Sequence, residues 1–160
     1  MMRFTLLFFS IIFFSTTSYS QNYIKGNTQS YLRRTAFMIN QTHKGIIKLD
    51  SLNRDGKFAK AIAHQRMARS YYQANDFKNA IYHSYYARRL TNIVASTYNP
   101  AKRTGFSDTA DEMKLVMGTP TDKKLEEDLL KSNPGIKFND ADYIGDNKLY
   151  KLDVDDLMQP

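Results

Sequence analysis

Apolar side chains recur at three- and four-residue steps through the middle of the chain, which is the period of helices that bury one face. The pattern predicts a first helix over about 28–52, a second over 57–74 and a third over 76–98, which Pro100 ends. The apolar positions of the first helix are Tyr31, Leu32, Thr35, Met38, Ile39, Thr42, Ile46 and Leu49. The very short Asn75-Asp76 connection places the second and third helices side by side and antiparallel.

The pattern changes after residue 103, where glycines and prolines divide the chain into short elements joined by turns. A short helix is predicted over 109–117 with Ser107-Asp108 as its cap, and a second over 122–131 after Thr121. Alternation over 149–155 favours a short strand or an extended arm. The predicted fold is all-α: a small antiparallel three-helix core with a C-terminal region of short helices and an extended arm.

The first 20 residues have the three parts of a secretory signal peptide. Met1–Arg3 is positively charged, Phe4–Phe14 is almost entirely apolar, and Ser18-Tyr19-Ser20 has the small residues of a cleavage site. An apolar helix of this length spans only about half of a bilayer core. We therefore expect cleavage after Ser20, a mature chain without a transmembrane segment, and a periplasmic or extracellular location.

Charge divides the rest of the chain in two. Residues 21–103 contain 15 Lys and Arg against 3 Asp, a net charge of +12, and residues 104–160 contain 7 Lys against 13 acids, a net charge of −6. The predicted organisation is therefore a signal peptide (1–20), a basic helical domain (21–103) and an acidic C-terminal region (104–160). Either the two parts attract each other, or the basic face and the acidic region are each solvated without specific contact.

Several classes of chemistry have no signature in this sequence. The chain has no Cys, which excludes disulfides, thiolate zinc sites, covalent c-type haem and a cysteine nucleophile. It has no Gly-x-Ser-x-Gly, phosphate-binding glycine loop or His-Glu-x-x-His sequence. We predict a protein that is not an enzyme and that carries no cofactor.

Two histidines lie on facing helices near the predicted turn. His64 precedes Asn75 by 11 residues and His83 follows it by 8, so the two side chains are expected at similar heights. No carboxylate lies four residues from either histidine, and the spacing matches no metal motif. No metal site is predicted from this pair.

The stretch 61–91 resembles one tetratricopeptide repeat unit. The positions that carry the resemblance are Met67, Ala68, Tyr71, Phe77, Ala80, Ile81 and Ala87. The resemblance implies a helical hairpin that takes part in protein–protein interaction. No second copy of the unit follows at the 34-residue period, and a single unit cannot bury both of its faces. The first helix is therefore expected to pack across the hairpin and close a three-helix core.

The hairpin is rich in tyrosine and arginine, a combination that is typical of binding surfaces. The candidate binding residues are Arg66, Arg69, Tyr72, Tyr82, Tyr86, Arg88 and Arg89. The expected function is that of a non-catalytic exported interaction or scaffold protein, whose partner is another protein of the cell envelope. The alternative is a polyanion, such as an acidic polysaccharide or lipid headgroup, bound by the basic face. Export argues against nucleic acid as the partner.

Overall fold

The structure is a computed structural model that describes the backbone of residues 3–46, 55–98 and 107–143, and the side chains of residues 24–46, 55–97 and 107–143. The elements are α1 (Arg3–Ile46), α2 (Lys57–Gln73), α3 (Phe77–Tyr98), α4 (Ala110–Leu115), α5 (Asp122–Ser132) and a 3-10 turn (Asp140–Tyr143). These described ranges contain no strand. The predicted all-α class is confirmed.

The helix limits agree with the sequence pattern except at α1 and α4. The first helix begins at Arg3 and not near residue 28, and no proline interrupts the sequence of residues 3–46. The cap of α4 is Thr109 and not Ser107-Asp108: Thr109 and Glu112 bond each other's backbone N–H groups in a capping box. The predicted end of the first helix at Leu52 and the arm over 149–155 lie outside the described residues.

The first three helices form an up-down-up bundle. Asn75 turns the chain between α2 and α3 with φ of 61°. Helix α1 lies antiparallel to α2, since the Gln65 side chain donates to the Leu32 carbonyl at 2.9 Å and the His43 ring stacks near that of Phe58. The predicted three-helix core is thus present.

Small residues allow the helices to approach closely. Four alanines along α2 and α3 are fully buried: Ala61, Ala68, Ala80 and Ala87. Larger residues fill the space around them, among them Ile39, Phe58 and Ile62 near one end of the bundle and Tyr31 and Leu32 toward the other. Burial of apolar surface stabilises the association of the helices, and the small alanine side chains allow close packing.

Residues 107–143, which we call the C-terminal belt, pack around this bundle. Helix α4 lies against α1 and α3, where Glu112 pairs with Arg34 and with Arg88. Helix α5 lies against α2 and α3, where Leu125 is buried with Ala61. Two alternatives were open for the basic and acidic parts: mutual attraction, or solvation of each without specific contact. The ion pairs of Glu112 with Arg34 and Arg88 correspond to mutual attraction.

The end of the belt caps helix α2. Gly56, the N-cap residue, has φ of 74° and carries no side chain to bond the first turn. The Asp140 carboxylate takes that role, since it accepts from Gly56 N at 3.1 Å and from Ala59 N at 2.8 Å. A Cβ at Gly56 would lie 2.4 Å from the Phe138 carbonyl oxygen. Glycine at position 56 is therefore required by both the backbone conformation and the close approach of the belt.

Within the described part of the chain, no helix combines the length and apolar content that crossing a bilayer requires.

Candidate binding surface

Arg88 is the most buried cation of the predicted binding set, with 1% of its surface exposed. Its guanidinium lies 3.9 Å from the centre of the Tyr31 ring. It pairs with Asp108 and, at 3.1 Å, with Glu112, both from the belt. It also donates to the Thr35 hydroxyl from Nε at 3.2 Å and from Nη2 at 3.1 Å. Arg88 thus fixes the belt to the bundle and is not presented to a partner.

Tyr82 and Tyr86 also lie under the belt. The Tyr82 hydroxyl donates to the Met117 carbonyl at 3.3 Å. The Tyr86 hydroxyl donates to Glu126 at 2.8 Å, and Lys60 donates to the same carboxylate. Burial acts to raise the pKa of Glu126, but these two bonds outweigh it and the pKa falls below its ordinary value. Both rings serve packing and hydrogen bonding within the fold.

Arg89 lies at the rim of the same side of the bundle. Its side chain is about half exposed and pairs with Asp122 at the start of α5, at 2.6 Å. An exposed pair of this kind contributes little to stability. The structure therefore separates Arg88 and Arg89, which are neighbours in sequence, into a buried and an exposed position.

The other three candidates, Arg66, Arg69 and Tyr72, lie on α2. Arg66 is exposed, while Arg69 and Tyr72 are partly buried. Arg66 and Arg69 are three residues apart, so they lie on one side of α2. Burial raises the pKa of Tyr72 while the charge of Arg33 on α1 acts to lower it, which places Arg33 near this ring. Helices α1 and α2 therefore contribute three arginines and a tyrosine, of which Arg33 and Tyr72 are close enough to interact.

Phe37 adds an apolar group to this side of the molecule. It lies one helical turn after Arg33 and is 59% exposed. We call Arg33, Phe37, Arg66, Arg69 and Tyr72 the α1–α2 face. The sequence signal for Phe37 is that this aromatic residue falls outside the apolar stripe of the predicted first helix. Arg33 has no distinct sequence signal, since it is one of many polar positions on that helix.

The 3-10 turn of the belt reaches one edge of this face. The Arg66 guanidinium lies 5.8 Å from the centre of the Tyr143 ring. The Tyr143 carbonyl oxygen lies 2.8 Å from His43 Nε2, which is placed to donate to it. Burial lowers the pKa of His43, and the bond to Tyr143 opposes this effect. The belt thus borders the α1–α2 face without belonging to it.

His64 and His83 meet in the seam between α2 and α3. Their Nδ1 atoms are 2.9 Å apart, and the ring centres are 5.2 Å apart. Burial and the charges of His83 and Lys60 lower the pKa of His64 to about 3, and burial lowers the pKa of His83. The predicted equal height of the two side chains is confirmed. Two Nδ1 atoms at this distance share a hydrogen bond when one of them carries a hydrogen.

Among the described residues, no three His, Cys, Asp or Glu side chains come close enough together to hold a metal ion. Comparisons with protein-family models, with curated proteins and with solved structures found no match. The resemblance of residues 61–91 to a tetratricopeptide unit therefore stays a prediction. The inference of function is therefore based on the arginine and aromatic side chains of the α1–α2 face.

Proposed function

We propose that this chain is a non-catalytic exported interaction protein that binds an acidic surface of another envelope or extracellular protein through the α1–α2 face. The leader-like first 20 residues support export. The tetratricopeptide-like character of the α2–α3 hairpin belongs to the same proposal.

The observation that carries the proposal is the composition of the α1–α2 face, in which three arginines accompany an exposed aromatic ring. Arg34, Lys60, Arg88 and Arg89 make ion pairs with acids of the belt. The α1–α2 face contains Arg33, Arg66 and Arg69 together with the Phe37 ring, which is 59% exposed. Arginine together with an accessible aromatic ring is enriched at the centres of protein interfaces.

Binding of a polyanion is the second candidate. Arg66 and Arg69, one turn apart on α2, favour it because neighbouring guanidinium groups attract and can each pair with an anionic group. Such binding is dominated by charge, so it weakens steeply as salt screens the groups. Phe37 distinguishes the candidates, since a buried apolar anchor contributes to a protein interface and little to an association driven by charge.

The first experiment is photo-crosslinking in extracts of the envelope. A photoreactive phenylalanine analogue replaces Phe37, and Ile93, which is 44% exposed on α3, is replaced in the control. We expect one defined protein to crosslink from position 37 and not from position 93. Equal crosslinking from both positions contradicts the proposed face.

The second experiment changes charge at two matched places. Arg66→Glu with Arg69→Glu alters the proposed face, and Lys123→Glu with Lys137→Glu applies the same change in net charge to exposed residues of the belt. We expect the first pair to abolish the crosslink and the second pair to preserve it. If both pairs weaken binding equally and 0.5 M salt abolishes binding to a heparin-like resin, the polyanion candidate replaces the protein partner.

A further inference from the structure

The two imidazoles in the α2–α3 seam can exist in only some of their protonation states. His64 is fully buried and His83 is 2% exposed. An Nδ1···Nδ1 distance of 2.9 Å requires a hydrogen on one ring and a lone pair on the other. This holds when both rings are neutral and when one is protonated. It fails when both are protonated, because two N–H groups and two positive charges then face each other.

The groups around the pair favour a proton on one ring over the other. Asp128 of α5 stabilises a charge on His83, whereas Lys60 of α2 opposes a charge on His64. The Tyr71 ring stacks on His83 with centres 5.3 Å apart, and the edge of Tyr86, whose hydroxyl bonds Glu126, meets His64 at 4.8 Å. The surroundings thus assign the first proton to His83.

A second proton on the pair has no favourable position. When His83 is protonated its Nδ1–H donates to His64 Nδ1, so a second proton could bind only at that same nitrogen and would face the N–H of His83. The Nε2 atom of His64 is buried and has no hydrogen-bond partner. The adjacent polar layer is neutral: Ser84 donates to Gln65 at 2.9 Å, and Gln65 donates to the Leu32 carbonyl of α1. An imidazolium at His64 would therefore be a buried cation with an unsatisfied donor, which proteins rarely tolerate.

We propose that the His64–His83 pair is a pH-sensitive latch that holds α2 against α3 at neutral pH and weakens as the solution becomes acidic. The open chain takes up protons at the ordinary histidine pKa near 6.5, while the closed seam excludes at least the one on His64. Stability from the pair is fully present above that pH and is lost as pH falls below it. The latch is independent of any partner and goes beyond the proposed function.

The test is urea unfolding of the full chain between pH 7.5 and 4.5. The variant His64→Asn with His83→Asn retains an amide N–H···O bond across the seam but does not titrate in this range. Each excluded proton raises the unfolding constant about tenfold per pH unit. Because an open-chain histidine is already half protonated at pH 6.5, we expect the constant of the natural chain to rise at least about 50-fold more than that of the variant between pH 6.5 and 4.5. Equal dependence on pH overturns the latch.

A matched control uses the third histidine. His43 lies at the other contact of α1 with the belt and is also buried. His43→Asn is expected to keep the excess pH dependence that the double variant loses. If the double variant does not fold, imidazole nitrogen shifts of the natural chain decide the matter: His64 is expected to stay neutral at pH 5. A His64 signal that titrates near pH 6.5 overturns the latch.

Discussion

The guanidinium of Arg88 lies 3.9 Å from the centre of the Tyr31 ring and is covered from the other part of the chain by Asp108 and Glu112. A cation at 1% exposure is tolerated because every side of it meets a ring, a carboxylate, a hydroxyl or a carbonyl. The C-terminal belt is for this reason an integral part of the fold. The contacts of Arg88 connect three stretches that are distant in sequence: Tyr31 in α1, Arg88 itself in α3, and Asp108 and Glu112 in the belt.

The neighbouring arginines 88 and 89 give a matched comparison of buried and exposed ion pairs. Arg88→Ala removes a buried guanidinium together with its bonds to Asp108, Glu112 and Thr35, and we expect it to lower the free energy of unfolding by about 2–3 kcal/mol. Arg89→Ala removes an exposed pair and should cost less than about 1 kcal/mol. Urea denaturation measures both. Similar losses for the two variants would contradict the buried role of Arg88.

Alanine substitutions at Gly56 and Gly135 distinguish the cost of backbone strain from the cost of steric collision. Both have positive φ, 74° and 79°. Nothing lies within 4 Å of a Cβ at Gly135, so Gly135→Ala should cost only about 1–2 kcal/mol of strain. Gly56→Ala adds the collision with the Phe138 carbonyl and should be distinctly more destabilising. Thermal unfolding of the two variants tests this order, and equal losses would show that the belt does not approach α2 so closely.

Asp140 caps α2 from a distance of more than 80 residues in sequence. Asp140→Ala removes the acceptor of two backbone N–H groups, and we expect a loss of about 1–2 kcal/mol. The amides of Gly56 and Ala59 should then exchange with solvent faster, which hydrogen exchange detects residue by residue. Asp142→Ala, at an exposed position of the same turn, is the control. Unchanged protection of Ala59 in the Asp140 variant would refute the cap.

Two leucines on α5 test whether this helix is packed against the bundle. Leu125 is 2% exposed and Leu130 is 50% exposed. Leu125→Ala should cost about 2–5 kcal/mol because it opens a cavity beside Ala61 and Tyr86. Leu130→Ala should change stability by no more than about 0.5 kcal/mol. If Leu125→Ala is equally mild, α5 is not docked as described.

The candidate binding set shows how far residue type alone predicts a surface. Tyrosine and arginine on the hairpin have the composition of an interface, but composition does not record what packs over them. Tyr86 and Arg88 bond to Glu126, Asp108 and Glu112, which are 20 to 40 residues away in sequence. Arg66 and Arg69 lie on another side of the bundle from these contacts. Which candidates bond to the belt therefore depends on how the helices pack, and residue type alone does not predict it.

The sequence by itself determined the helices and their order in the core. The helices α2, α3 and α5 were predictable because their signals are local in sequence. These signals are the spacing of apolar residues, the short turn at Asn75 and the cap residue Thr121. Only the tertiary structure decided which charges face solvent, that Asp140 caps α2, and that His64 and His83 share a hydrogen bond. These features depend on pairs of side chains that are distant in sequence and meet only when apolar burial brings the helices together.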